Sequence, residues 1–123
     1  QKFDSDTERR LAIILDRDAQ KWFRPASGQF QISYKLGVSQ HGYQPDFVAE
    51  TADCIYMLEP KAKNELTASE VLAKKDAAVL WCSRATAHSL TNGGKPWKYV
   101  LIPHDVIAEN MTLAGLVKQF AVG

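Results

Sequence analysis

No apolar stretch in this chain approaches the roughly 18 residues of a membrane-spanning helix, so a soluble, folded protein with no membrane partner is expected. A charge bias is missing as well: 15 Lys and Arg against 14 Asp and Glu leave a net charge of +1. A free-standing DNA binder usually carries a basic excess that makes its affinity fall with salt. If this chain meets nucleic acid, most of the holding strength has to come from another part of a parent protein. Cysteine is scarce, and Cys54 and Cys82 have neither zinc-ligand spacing nor a disulfide framework; they read as reduced, half-buried thiols of a cytosolic protein. There is no internal repeat, low-complexity tract or linker. Neither an initiator Met nor a basic, signal-like leader stands at Gln1-Lys2-Phe3, which reads as the start of a fragment cut from something longer. At 123 residues the expectation is a single domain, 1–123, able to bury about two thirds of its unfolded surface.

What is present is a clear sequence of elements. Ser5-Asp6-Thr7-Glu8 forms a capping box for a helix whose apolar positions are Leu11, Ile14, Leu15 and later Trp22. Gln29 to Lys35 alternates as a half-exposed strand, with Phe30, Ile32 and Tyr34 on one face, and Gly37 to Gly42 reads as a loop. Two strand-like runs, Pro45 to Thr51 and Cys54 to Lys61, form a hairpin turning at Ala52-Asp53. Leu66 to about Leu90 reads as a long helix, capped by Thr67 or Ser69, with a stripe of Val71, Ala78, Cys82 and Ala85. After an Asn92 to Pro96 turn come a buried strand, Trp97 to Ile102, and a last helix from Asn110 or Thr112 through Leu113, Leu116, Val117 and Phe120. The order is αβββαβα. A strand, helix, strand passage requires a crossover, so the last strand lies parallel to a strand of the meander in a mixed sheet.

The chemistry concentrates at the hairpin. If its strands turn at Ala52-Asp53, opposed residues have numbers summing to 105, and Asp46 stands across from Glu59. Lys61, two residues further, shares their face because side chains alternate with period two. Two like charges directly opposed in a sheet destabilise it, so the pair asks for cations, and Lys61 is only one. Magnesium, with manganese as the alternative, takes one or two carboxylates plus waters and phosphate oxygens. Asp46 and Glu59 would be the ligands, joined by the backbone carbonyl of Pro60. Such a metal lowers the pKa of a water and offsets charge building on a phosphate, while Lys61 positions the water or neutralises the transition state. The bland alternative is a surface hairpin with Glu-Lys and Asp-Lys ion pairs worth a fraction of a kcal/mol.

Pro-Asp followed by Glu-x-Lys resembles the PD-(D/E)xK nuclease superfamily, and more narrowly the C-terminal endonuclease domain of type III restriction Res subunits and related helicase-nucleases. The residues carrying the resemblance are Phe3-Asp4-Ser5-Asp6-Thr7-Glu8-Arg9, Tyr43-Gln44-Pro45-Asp46-Phe47-Val48, Leu58-Glu59-Pro60-Lys61, Lys74 through Ala77-Ala78 to Trp81-Cys82, and Trp97-Lys98-Tyr99. What it implies is an α/β, restriction-endonuclease-like αβββαβ core with helices flanking a mixed sheet, plus a C-terminal helix. It also implies metal-dependent cleavage of double-stranded DNA by Asp46, Glu59 and Lys61. The parent would hold a helicase/ATPase region, with a modification methyltransferase subunit as a possible partner, in a prokaryotic cytoplasm. The alternatives are a catalytically silent DNA- or protein-interaction module and a DNA repair nuclease of the same superfamily.

Three positions stay open at this level. Pro60 removes a ladder donor, so either a bulge lies there or the ladder ends at Glu59. Glu8 either helps to hold metal from the first helix or completes the capping box with Ser5. Lys74 matches the helix lysine of the family and either contacts phosphate and supports catalysis or, like Lys75, reaches out to solvent. His41, His88 and His104 are scattered without ligand spacing. Gly93-Gly94-Lys95 lacks the remainder of a phosphate loop. Trp22, Trp81 and Trp97 sit in periodic apolar contexts and read as core.

Overall fold

Apolar spacing of three and four residues builds the first helix, α1 (Asp6–Asp18), in a computed structural model that describes residues 6–26 and 31–122. Leu11, Ile14 and Leu15 fall on one stripe and are fully buried. Ser5, the expected cap, lies outside the described residues. Trp22 is not on this helix. The chain leaves it at Ala19 and Gln20, whose N–H groups bond Leu15 O and Glu50 O at 2.9 and 2.8 Å, and Trp22 sits in a short strand, β1 (Lys21–Phe23).

The next stretch departs further from expectation. The alternating run gives β2 (Ile32–Leu36), with Ile32 and Tyr34 buried as predicted, while Gln29 and Phe30 lie outside the described residues. The expected loop from Gly37 to Gly42 instead supplies β3 (Ser39–Tyr43), paired antiparallel to β2 in a separate two-stranded sheet. Its turn is possible because Gly37 takes φ +65°, a conformation open to glycine.

The main sheet is built from β1, β4 (Phe47–Glu50), β5 (Ile55–Lys61), β6 (Trp97–Pro103) and β7 (Ala121–Val122), in the order β1-β4-β5-β6-β7. Its meander therefore starts with β1, not with the strand predicted over 29–35, and the predicted order αβββαβα lacks β1, β3 and β7. The β5–β6 pair is parallel, as the crossover required, and the other pairs are antiparallel. Between β4 and β5 the turn is closed by Thr51, whose N–H reaches Cys54 O at 2.9 Å. Lys95 braces it from outside, with Nζ 2.6 Å from Glu50 Oε2 and 2.8 Å from Thr51 O.

The crossover helix, α2 (Ser69–Thr91), begins three residues later than Leu66. A 3-10 turn at Lys63–Glu65 comes first. Neither Thr67 nor Ser69 is its cap; that place falls to Ala68, which has no side chain to accept a bond. The final helix, α3 (Leu113–Phe120), is capped by Thr112, which accepts from the Gly115 N–H at 3.0 Å.

Apolar side chains cover both faces of the main sheet. On one, α1 and α3 pack Leu11, Ile14, Leu15, Leu113 and Leu116 against Phe47, Leu58, Val100 and Ile102. On the other, Ala78 and Cys82 of α2 and Ile32 of β2 meet Val48, Met57 and Tyr99. Val71 and Ala85, expected on the same stripe of α2, are half-buried. Cys54 and Cys82 are unbridged and buried, deeper than expected, with Cys82 Sγ 3.4 Å from Met57 Sδ. Among the described residues no helix is long and apolar enough to cross a membrane.

Candidate active site

The register of the β4–β5 hairpin decides what meets at its open end. Glu50 pairs with Ile55, Ala49 with Tyr56, Val48 with Met57 and Phe47 with Leu58, so paired numbers sum to 105 as the turn predicted. The ladder ends there: Asp46 is a bend residue just before β4, and it lies close enough to Glu59 for its charge to add to burial in raising that carboxyl. On β5 alternation assigns the face: Met57 points to the α2 side, and Glu59 and Lys61 follow at spacings of two. Glu59 is 3% exposed, the one buried charged residue among those described.

Pro60 interrupts nothing on the β6 side. Residues Ile55 to Lys61 pair without offset with Trp97 to Pro103, so there is no bulge, and the ladder continues past Glu59 to Lys61. On the β4 side it stops at Leu58, one residue earlier than foreseen. Lys61 is thus held on the extension of a regular strand.

Electrostatics tie the residues together. Burial and then the charge of Asp46 push the Glu59 carboxyl up to about 7, against the opposing pull of the Tyr99 hydrogen bond, Lys61 and Lys74. Asp46 is raised by burial and then by the charge of Glu8, while Lys61, Arg24 and Lys74 pull it down. Asp46 thus senses Glu8, Lys61, Arg24 and Lys74, and Glu59 senses Asp46, Lys61 and Lys74, which links residues from the start of α1, the chain just after β1, the end of β5 and the first turns of α2. Glu8 is committed in part to Arg24, which donates from Nη2 to its Oε1 at 3.0 Å. Arg24 also lies over the Phe47 ring, 5.1 Å from its centroid.

Lys74 is placed by aromatic side chains. Its Nζ lies 5.6 Å from the ring centroids of both Tyr34 and Tyr43, and the Tyr43 hydroxyl donates to Lys74 O at 3.2 Å. This answers one open question: Lys74 does not simply extend into solvent but is half-buried under the β2–β3 hairpin. Cation–π attraction of this kind is worth about 0.5 to 2 kcal/mol per ring.

Two observations bear on a metal. One oxygen of Glu59, Oε1, is buried without a hydrogen-bond partner, whereas Oε2 accepts from the Tyr99 hydroxyl at 3.1 Å. An unsatisfied buried carboxylate oxygen is costly, and a hard cation is one way to satisfy it. Against this, no three His, Cys, Asp or Glu side chains are grouped closely enough among the described residues to hold an ion. A donor set of two carboxylates nevertheless fits magnesium, which keeps most of its waters and completes its shell with substrate oxygens. A shallow cleft of about 260 Å³ lined by Arg24, Pro25, Gln44, Pro45 and Asp46 opens beside the pair.

Sequence reasoning missed Arg24, Tyr34, Tyr43 and Tyr99. Tyr99 had a readable signal, since a tyrosine in a buried apolar strand needs a partner for its hydroxyl. The remaining motifs are structural in this fold. Lys95 braces the β4–β5 turn, and Trp81 and Trp97 pack edge-to-face with ring centroids 5.0 Å apart. His41, exposed on β3, stacks on Tyr34 with ring centroids 5.5 Å apart.

Comparison of the chain with protein-family models, curated proteins and solved structures finds no match.

Proposed function

We propose that this chain is a magnesium-dependent endonuclease domain, with manganese as a possible substitute, that hydrolyses phosphodiester bonds of double-stranded DNA. In this reading it is the cleavage module of a type III-like restriction subunit in a prokaryotic cytoplasm. The parent's helicase/ATPase region supplies translocation, and a modification methyltransferase subunit is a further partner. The near-neutral charge suits a module that relies on the rest of its parent for DNA affinity.

The observation that supports the reading is a buried Glu59 that has one unpartnered oxygen and a carboxyl raised by burial and by the charge of Asp46, with Lys61 and Lys74 acting on both acids. Fold order adds support. With the β2–β3 excursion set aside, α1, β1, β4, β5, α2 and β6 give helix, three antiparallel strands, helix and parallel strand, the αβββαβ order of restriction-endonuclease-like cores.

When bound by Asp46 and Glu59, with the Pro60 carbonyl and Glu8 as further candidate donors, magnesium supplies charge at the phosphate and acidifies a water. The chain's own residues do the rest. Asp46 and Glu59 fix where the scissile phosphate is held, Lys61 orients the attacking water or offsets the developing negative charge, and Lys74 meets a phosphate oxygen from α2.

The test is a supercoiled-plasmid nicking assay with Mg²⁺ or Mn²⁺, using wild type, Asp46→Ala and Lys61→Ala. Nicking by wild type alone is expected, with each variant reduced at least about 100-fold, as for loss of one electrostatic stabiliser. Equal activity in all three removes the triad. A silent interaction module, favoured by the lack of a three-donor cluster among the described residues, predicts DNA or protein binding with no metal-dependent nicking.

A further inference from the structure

Glu59 and its neighbours form an asymmetric arrangement. Its carboxylate is held at one oxygen only, and the holder is the hydroxyl of Tyr99, 3.1 Å from Oε2. Tyr99 is 1% exposed and Glu59 3%, so the bond is shielded from water and its geometry is set by the strands. The parallel β5–β6 register explains why this tyrosine reaches this acid: Met57 pairs with Tyr99 and Glu59 with Leu101, so Tyr99 is the diagonal neighbour on the same face.

The other tyrosine hydroxyls nearby are committed elsewhere. Tyr43 donates to Lys74 O at 3.2 Å and Tyr34 to Glu70 Oε2 at 2.9 Å. Lys74 points its ammonium at the two rings. Consequently no donor among the described residues satisfies Oε1.

We infer that Tyr99 is a positioning residue: by holding Glu59 Oε2 it fixes the carboxylate and reserves Oε1 for a hard divalent cation, which Glu59 then binds through that single oxygen. This rests on the proposed metal site, and it adds to that site a residue that touches neither metal nor substrate. Outer hydrogen bonds of this kind orient ligating carboxylates, and their loss typically weakens metal binding about 10- to 100-fold.

The experiment measures Mn²⁺ alone, without DNA, binding to the 123-residue chain. Free Mn²⁺ is counted by electron paramagnetic resonance for wild type, Tyr99→Phe and Glu59→Gln. Tyr99→Phe keeps the buried ring but leaves Oε2 unpartnered as well, so its melting temperature in EDTA is expected to fall by the modest amount of one lost buried hydrogen bond, with the protein still folded at the assay temperature. Its Mn²⁺ affinity is expected to fall about 10- to 100-fold, with binding lost in Glu59→Gln. Tyr99→Met, which also lacks the hydroxyl, is expected to weaken Mn²⁺ in the same range. Wild-type affinity in Tyr99→Phe, together with loss in Glu59→Gln, overturns the role of Tyr99 and leaves the metal site standing. No binding by wild type, or binding indifferent to Glu59→Gln, overturns the metal site and this inference with it.

Discussion

Replacing Glu59 by Gln in the metal-free protein should change how stability depends on pH. The carboxyl rises from its ordinary 4.5 to about 7 on folding, chiefly through burial and then through the charge of Asp46. A buried acid raised in this way binds more protons folded than unfolded, so stability is fully present below about pH 4.5 and is lost as pH climbs through 7. The rise corresponds to about 3 kcal/mol, a large fraction of the stability of an ordinary domain. Glutamine mimics the neutral acid and removes this dependence; it also relieves Asp46 of a like charge. Urea unfolding followed by tryptophan fluorescence in EDTA, from pH 4 to pH 8, reads the effect. The variant should match wild type near pH 4 and exceed it by about 3 kcal/mol above pH 7. Saturating Mn²⁺ should restore wild type at the higher pH, since a ligand bound only by the folded state stabilises it. Parallel pH profiles for the two proteins would refute the claim that Glu59 is a charge held at a cost for a cation.

Two further predictions separate fold from site. Leu58→Ala empties a fully buried position next to Glu59 but on the α1–α3 face; unfolding should show a loss of about 2 to 5 kcal/mol, while the folded protein's Mn²⁺ affinity stays within about twofold. Thr112→Ala removes the hydroxyl that caps α3 and should cost about 1 kcal/mol, read as a lower midpoint in urea with nicking activity unchanged below the transition.

Legibility in the sequence followed the physics of each element. The β4–β5 register was readable because a turn at Ala52-Asp53 and period-two alternation together leave one pairing, which holds from Glu50–Ile55 to Phe47–Leu58 and ends one step short of Asp46. The long helix and the parallel strand were readable because both carry runs of apolar residues that the crossover rule orders. By contrast, β1 has three residues and β7 two, too few to show any period. Ser39 to Gly42 of β3 are all exposed, so no apolar alternation marks that strand. The α2 boundary was misplaced because Thr67 and Ser69 suggested side-chain capping, whereas the chain enters through a 3-10 turn. Within the site, the acids and lysines were legible, whereas Arg24 and the tyrosines around them were not. Tyr34, Tyr43 and Tyr99 come from three different strands, and only the folded register brings them to Lys74 and Glu59.

The central claim is that Asp46 and Glu59 share one divalent ion. A crystal structure of the chain grown with Mn²⁺, with the ion located by anomalous scattering, tests it most directly. One ion with an Asp46 carboxylate oxygen and Glu59 Oε1 each within about 2.0 to 2.2 Å is predicted. An ion bound elsewhere, or none at saturating Mn²⁺ with Glu59 Oε1 still unpartnered, would contradict it.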